Sequence, residues 1–116
     1  MGVMEEIIHK FELVSIRKEE LGMAEDVEDL TVNYEEDGIP VVKELDKAVL
    51  SKGAWATIIF RYQQWDKRKE EYGEDKYTIR RYRKINGEYI PRTRFNISSS
   101  KQAAKIVEIL SNWLDK

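Results

Sequence analysis

The sequence predicts an α+β fold, in which an antiparallel β-sheet of four or more strands is followed by one C-terminal amphipathic helix. Two observations indicate this class. Runs rich in β-branched and aromatic residues are separated by dipeptides typical of tight turns, and the last apolar residues recur every three and four positions. The length of 116 residues fits one domain with a modest core.

The N-terminal part is predicted to begin the sheet. Phe11–Ile16 has the composition of a strand. Leu30–Tyr34 and Ile39–Val42 flank Asp37-Gly38, a dipeptide that accepts the positive φ angles of a two-residue hairpin turn. Residues 43–50 could extend the second of these strands.

Trp55–Trp65 is the most apolar run and is predicted as a strand, because its β-branched and aromatic residues disfavour a helix. Both of its faces carry apolar residues: one has Ala56, Ile58, Phe60 and Tyr62, and the other has Trp55 and Ile59. Such a strand needs cover on both sides, from the N-terminal segment or from a second subunit. The charged residues 67–75 are predicted to form a long exposed loop.

A second hairpin is predicted from Asp75–Ile85 and Tyr89–Ile97, which are joined by Asn86-Gly87. Strict alternation along the second strand gives two sets of side chains. One face would carry Tyr89, Pro91, Thr93, Phe95 and Ile97, and the other Ile90, Arg92, Arg94 and Asn96.

The C-terminal helix is predicted over Ser99–Trp113. Ser99 followed by Gln102 is a capping box, in which the serine oxygen accepts from an early N–H and the glutamine reaches back. The apolar face would pack on another helix or on a sheet. Because that face and the apolar strand exceed what one short chain can cover, a homodimer is expected through Ile106, Val107, Leu110, Trp113 and Leu114.

The charge of the chain is unevenly divided. Residues 1–50 carry fourteen acidic and five basic side chains, whereas residues 51–116 carry eight acidic and fifteen basic ones, which together give the net charge of −2. We therefore divide the chain into an acidic segment, 1–46, which could add strands to the same domain, and a basic sheet-and-helix core, 47–116. The asymmetry indicates nucleic-acid binding by the basic part, unless salt bridges join the two halves.

Several classes of function are not expected. The chain has no cysteine, so no thiolate site can be assembled. Its single histidine, His9, is expected to be a surface or packing residue, and no histidine lies near the serines at 98–100 to activate them. The serines at 98–100 are explained by helix capping. No cofactor, metal site or small-molecule substrate is indicated, and the protein is predicted not to be an enzyme. The N-terminus resembles neither a signal peptide nor a membrane span, so a cytoplasmic location is expected.

A candidate binding platform is centred on the strand KYTIRRYRK. One face carries Lys76, Thr78, Arg80, Tyr82 and Lys84, so three cations alternate with an aromatic ring. Cations neutralise phosphates, and flat rings stack on unpaired bases whatever their identity. The candidate nucleic-acid-binding residues are Arg61, Trp65, Lys67, Arg68, Lys76, Arg80, Tyr82, Lys84, Arg92 and Arg94. An ordinary solvated sheet face is the alternative.

The order of these elements resembles the positive-cofactor-four type of transcriptional coactivator and its small bacterial relatives. The resemblance covers about residues 47–114 and is carried by Tyr77–Tyr82, by the basic strand ending Phe95-Asn96-Ile97-Ser98, and by the helix that follows. It implies a curved four-stranded antiparallel sheet, a homodimer formed through the helices, and binding of single-stranded DNA without strong sequence preference. Trp65, Lys67 and Arg68 correspond best to the family's aromatic and lysines between strands two and three.

The alternative function is a protein-interaction or assembly module, whose basic sheet face meets an acidic partner. The exposure of the aromatic residues separates the two. Stacking on bases requires Tyr82, Trp65 or Tyr62 to be exposed beside the arginines, whereas an interaction module would bury them.

Overall fold

The computed structural model describes residues 21–115 of the chain. They form a six-stranded antiparallel sheet followed by one helix, which confirms the predicted α+β class. A 3-10 helix, Val27–Asp29, precedes the sheet. The other elements are β1 Tyr34–Glu36, β2 Ile39–Ser51, β3 Trp55–Asp66, β4 Glu71–Tyr72, β5 Lys76–Ile85, β6 Glu88–Ile97 and the helix α1 Ser100–Leu114. The expected strand Phe11–Ile16 and His9 lie outside the described residues.

The strands follow the order β1-β2-β3-β5-β6, with the short β4 paired to the end of β3. Both predicted hairpin turns are present. Asp37 and Gly38 have φ angles of 50° and 78°, and Asn86 and Gly87 have 51° and 81°. Positive φ at both central residues matches the twist of a two-residue hairpin.

Three stretches differ from the sequence interpretation. The first strand of the Asp37-Gly38 hairpin is Tyr34–Glu36 and not Leu30–Tyr34, because Leu30 and Val32 are buried in the segment that covers the sheet. Residues 67–75 are not all loop, because β4 folds back on β3 and pairs Tyr72 with Trp65. β2 runs without a break from Ile39 to Ser51, so the expected division between residues 46 and 47 falls inside one strand. The later part of the acidic segment therefore supplies β1 and more than half of β2 to the sheet.

The hydrophobic core lies between the sheet and the chain that precedes β1. We call the sheet face covered by residues 24–32 the inner face and the opposite one the outer face. Ala56, Ile58 and Phe60 on β3 are fully buried there. They form one cluster with Ala24, Val27, Leu30, Val32, Tyr62, Tyr82 and Tyr89. The acidic segment thus provides the cover that one face of β3 requires.

Lys47 fixes this cover to the sheet. Its Nζ donates to the carbonyl oxygens of Glu28 at 2.6 Å, Leu30 at 2.7 Å and Val27 at 3.3 Å, around the 3-10 helix. Thr31 adds a hydrogen bond from its hydroxyl to the Glu44 carboxylate. Because charged hydrogen bonds are stronger than neutral ones, one lysine satisfies three carbonyl groups at the end of a very short helix.

A β-bulge in β6 changes which side chains share a face. The register between β5 and β6 shifts after Arg81, so that Arg92 has no cross-strand partner. Directly opposed residues share a face, and the inner face of β6 therefore carries Tyr89, Pro91, Arg94 and Asn96. The prediction from strict alternation, which put Arg94 opposite in orientation to Tyr89, is wrong because it allowed for no extra residue.

The helix α1 begins with the predicted cap. The Ser99 hydroxyl accepts from the Gln102 N–H at 3.1 Å, and the Gln102 side chain accepts from the N–H of Ser98 at 2.9 Å, one residue before the expected position. No residue of α1 is buried. Within residues 21–115 no helix is long and apolar enough to cross a membrane.

Candidate nucleic-acid interface

A groove of about 450 Å³ lies on the inner face, beyond the end of the N-terminal cover. Its floor is formed by side chains of β3 and β5, among them Tyr62, Arg80 and Tyr82. Arg94 and Asn96 of β6 extend it toward the sheet edge, and the remaining wall consists of Leu21, Gly22, Thr31, Val32, Asn33, Tyr34, Val42, Gln64 and Pro91. No carboxylate belongs to this lining.

Arg80 is the central charge of the groove. It lies opposite Ile58 on β3 and opposite Arg94 on β6. Its Nε is buried and has no hydrogen-bond partner among the described residues. Burial lowers the pKa of the Arg80 guanidinium; Tyr82 acts in the opposite direction, and the charge of Arg94 lowers it further. Arg80 is therefore a cation that has no carboxylate partner among the described residues.

Three amide side chains line the groove, and each has its oxygen engaged. Asn33 Oδ1 accepts from the N–H of Glu44 at 2.7 Å. Gln64 Oε1 accepts from Lys76 Nζ at 2.9 Å, and Asn96 Oδ1 accepts from the Thr78 hydroxyl at 2.8 Å. An amide has one acceptor oxygen and one NH₂ donor group. The amides therefore present mainly donors to the groove, beside the two arginines.

Tyr82 and Tyr62 do not have the exposure that stacking requires. Tyr82 is 1% exposed and Tyr62 is 8% exposed. The prediction that Tyr82 offers a free ring is wrong, because its strand face is the one that packs on the core. Tyr34, on the groove wall, is 47% exposed.

The other predicted residues lie away from the groove. Arg61 points to the outer face and pairs with Asp75 at 3.7 Å. Trp65 is half-buried and packs edge-on against Tyr72, with 5.1 Å between ring centroids. Lys67 and Arg68 are exposed in the turn before β4, Lys84 lies over the Tyr89 ring, and Arg92 occupies the bulge.

The structure thus brings together a subset of the predicted site. Arg80, Tyr82 and Arg94 line the groove, and Lys76 reaches it through its hydrogen bond to Gln64. Sequence reasoning missed Asn33, Gln64 and Asn96, because it searched for cations and rings. The signal for Gln64 and Asn96 lies in the strand register, which places them on the same face as Arg80.

Within residues 21–115, ion pairing does not neutralise the basic part of the chain. Among residues 21–115 the ion pairs are Lys52–Glu28, Arg61–Asp75 and Lys105–Glu108. Only the first joins the acidic and basic halves, and it is exposed. The arginines at positions 80, 81, 83, 92 and 94 therefore have no carboxylate partner in the described part of the chain.

Comparison with known proteins gives no relative to which this site can be compared. No protein-family model matches the chain, and neither the curated proteins nor the solved structures contain a match. Within the described range, no group of three His, Cys, Asp or Glu side chains could hold a metal ion.

Proposed function

We propose that this protein binds single-stranded nucleic acid through the groove, with little sequence preference. The observation that carries the proposal is the donor-rich lining: two arginines and three amides whose oxygens are already engaged, with no carboxylate. Phosphate and base carbonyl oxygens are acceptors, so such a lining suits a nucleic-acid strand. It does not suit a cation or a basic peptide.

The strand is held mainly by its phosphates. Arg80 and Arg94, which lie opposite each other on β5 and β6, both donate hydrogen bonds to one phosphate group. The amide groups of Gln64 and Asn96 donate to the neighbouring phosphate or base oxygens. Because Arg80 is half-buried on the floor of the groove, a single strand reaches it more readily than a duplex.

The family resemblance supports the same proposal. A sheet followed by one helix agrees with the architecture that the resemblance implies. The resemblance also favours DNA over RNA as the bound strand. The protein acts by binding and has no catalytic role in this proposal.

The active form is a homodimer joined through α1. Val107, Leu110 and Trp113 are 63%, 47% and 69% exposed, and Leu114 is 82% exposed. These residues form one stripe at the spacing of an amphipathic helix. A contiguous exposed apolar stripe that includes a tryptophan is typical of an interface, and a second copy offers the same stripe about a two-fold axis.

A protein-interaction module is the second candidate, and the burial of Tyr62 and Tyr82 favours it. In that case an acidic peptide would occupy the groove. Its carboxylates would accept from Arg80 and Arg94 in place of phosphates.

Fluorescence anisotropy with labelled ligands separates the two candidates. We expect a single-stranded oligonucleotide to bind more tightly than the duplex of the same sequence and than an acidic peptide of equal charge. Arg80→Gln should weaken binding to all sequences alike and reduce the log–log salt slope by about 0.7 per lost phosphate contact. Lys105→Gln on α1 is the control and should change neither. Preferential binding of the peptide, or an unchanged slope in Arg80→Gln, would reject nucleic acid as the ligand of the groove.

A further inference from the structure

A second arginine cluster lies on the outer face, at the opposite end of the sheet from α1. The Arg81 and Arg83 guanidinium carbons lie 4.5 Å and 5.4 Å from the centre of the Trp55 ring. Cross-strand pairing explains this arrangement, because Trp55 is opposite Arg83 and Thr57 is opposite Arg81. We call Trp55, Arg81 and Arg83 the outer cluster.

The outer cluster places two positive charges side by side, and no carboxylate among the described residues pairs with them. Both arginines are exposed, and neither forms an ion pair with any residue between 21 and 115. Each guanidinium is attracted to the indole ring, so both positive charges lie beside the same side chain. An anion bound beside them would reduce their repulsion and accept hydrogen bonds from the guanidinium groups.

The β6 edge connects the outer cluster to the groove. Arg80 and Arg94 are paired on the inner face, whereas Arg81 is paired with Thr93 on the outer face. Between Thr93 and Pro91 lies Arg92, the exposed extra residue of the bulge. Within the described part of the chain, β6 pairs with β5 on one side and only Tyr89 is bridged on the other. Cations therefore continue around this edge from one face to the other.

We propose that the outer cluster binds phosphates of the same nucleic-acid strand after it leaves the groove and crosses the edge at Arg92. This rests on the proposed function of the groove and extends it: the binding site is longer than the groove and includes both faces of the sheet. Trp55, which is half-buried, holds the two arginines in place and presents a ring edge to the strand.

Dimerisation through α1 leaves the outer cluster accessible. Tyr77 is opposite Ile97, at the end of β6 from which α1 departs, and its hydroxyl lies 3.1 Å from that of Ser100. Arg83 is six residues further along β5, which corresponds to roughly 20 Å along the strand. The start of α1 and the outer cluster thus lie at opposite ends of β5.

The test compares a short oligonucleotide of about four nucleotides, which the groove alone can hold, with one of about sixteen. We expect the double variant Arg81→Gln/Arg83→Gln to bind the short one like the wild type. Its affinity for the long one should fall at least about tenfold, with a log–log salt slope smaller by about 1.4, the value for two phosphate contacts. The variant Arg81→Lys/Arg83→Lys should retain most of the long-strand affinity because it keeps both charges. Lys101→Gln/Lys105→Gln, which removes two charges from α1, is the matched control.

Each other outcome overturns the inference in a distinguishable way. Equal weakening of both lengths would show a general charge effect, and no weakening of either would show that the strand does not reach the outer face. In both cases the groove keeps its function, because the short oligonucleotide still reports on it. If the wild type bound neither length, the proposed function and this extension would fail together.

Discussion

Arg80 has an unfavourable electrostatic environment within the described residues. Its guanidinium is half-buried, faces the like charge of Arg94, and has a buried Nε without a partner. A buried polar group without a hydrogen bond lowers the free energy of unfolding. Such a cost is typical of functional positions, where binding of a ligand offsets it.

Replacing Arg80 by methionine should separate stability from binding. Met fills a similar volume without charge, so we expect Arg80→Met to melt at the same temperature as the wild type or a few degrees higher. Its affinity for a single-stranded oligonucleotide should fall together with the salt slope. Thermal unfolding by circular dichroism and anisotropy are the two measurements. A clear drop in melting temperature would mean that Arg80 is a structural residue.

Tyr82 makes the stability of the fold sensitive to alkaline pH. Burial raises the pKa of its phenol above the ordinary value of 10.0, while Arg80 acts in the opposite direction. In the unfolded chain the phenol ionises at the ordinary pKa. As the pH rises through and above that value, the folded protein therefore retains more protons than the unfolded chain does. The free energy of unfolding should therefore decrease there.

Tyr82→Phe removes the ionisable group and keeps the ring. We expect the free energy of unfolding of this variant, measured by urea titration between about pH 8 and pH 11, to decline less with pH than that of the wild type. Parallel declines of the free energy of unfolding in the two proteins would show that folding does not raise the pKa of Tyr82.

At the scale of secondary-structure elements, Lys47 helps to hold the N-terminal cover on the sheet, together with the buried apolar residues of the cover and the Thr31–Glu44 hydrogen bond. Lys47 is half-buried and donates three hydrogen bonds to the chain around the 3-10 helix. Lys47→Met keeps much of the side-chain volume and leaves these carbonyls without their donor. We expect a loss of about 2 kcal/mol in the free energy of unfolding, which is the usual size for hydrogen bonds to charged groups.

Lys52→Met is the matched control for Lys47→Met. Lys52 lies on the same side and forms only an exposed ion pair with Glu28 at 3.6 Å. Its removal should cost no more than about 0.5 kcal/mol. Equal losses in the two variants, measured by urea denaturation, would show that the cover does not depend on Lys47.

Most of the elements were predictable, because each depends on local chemistry. The turns at Asp37-Gly38 and Asn86-Gly87, the Ser99 cap and the helical spacing in α1 are visible in the sequence. The short strand β4 was not predicted, because it lies in a charged stretch with the composition of a loop.

The face of β5 that is buried was not predictable, because it depends on how residues 24–32 fold over the sheet. Nor was the pairing of Arg94 with Arg80. Pro91 is compatible with a bulge and with an edge strand alike, so the residue types do not show where the extra residue is inserted.

At the scale of the whole molecule, α1 is the proposed dimer interface. Leu110 lies in the exposed apolar stripe, and Asn112 lies on the opposite side of the helix. We expect light scattering to give a dimer mass for the wild type and for Asn112→Glu, and a monomer mass for Leu110→Glu, in which a charge would be buried at the interface. A monomer mass for the wild type at micromolar concentration would contradict the proposed dimer.

We propose that the groove around Arg80 receives a single nucleic-acid strand, and NMR titration with a short oligonucleotide is the sharpest test of this proposal. We expect the Arg80 and Arg94 Nε–H signals and the side-chain NH₂ signals of Asn33, Gln64 and Asn96 to shift together and to saturate at one affinity. The signals of α1 should remain in place. Saturable shifts confined to other surfaces, with the Arg80 and Asn96 signals unchanged, would contradict it.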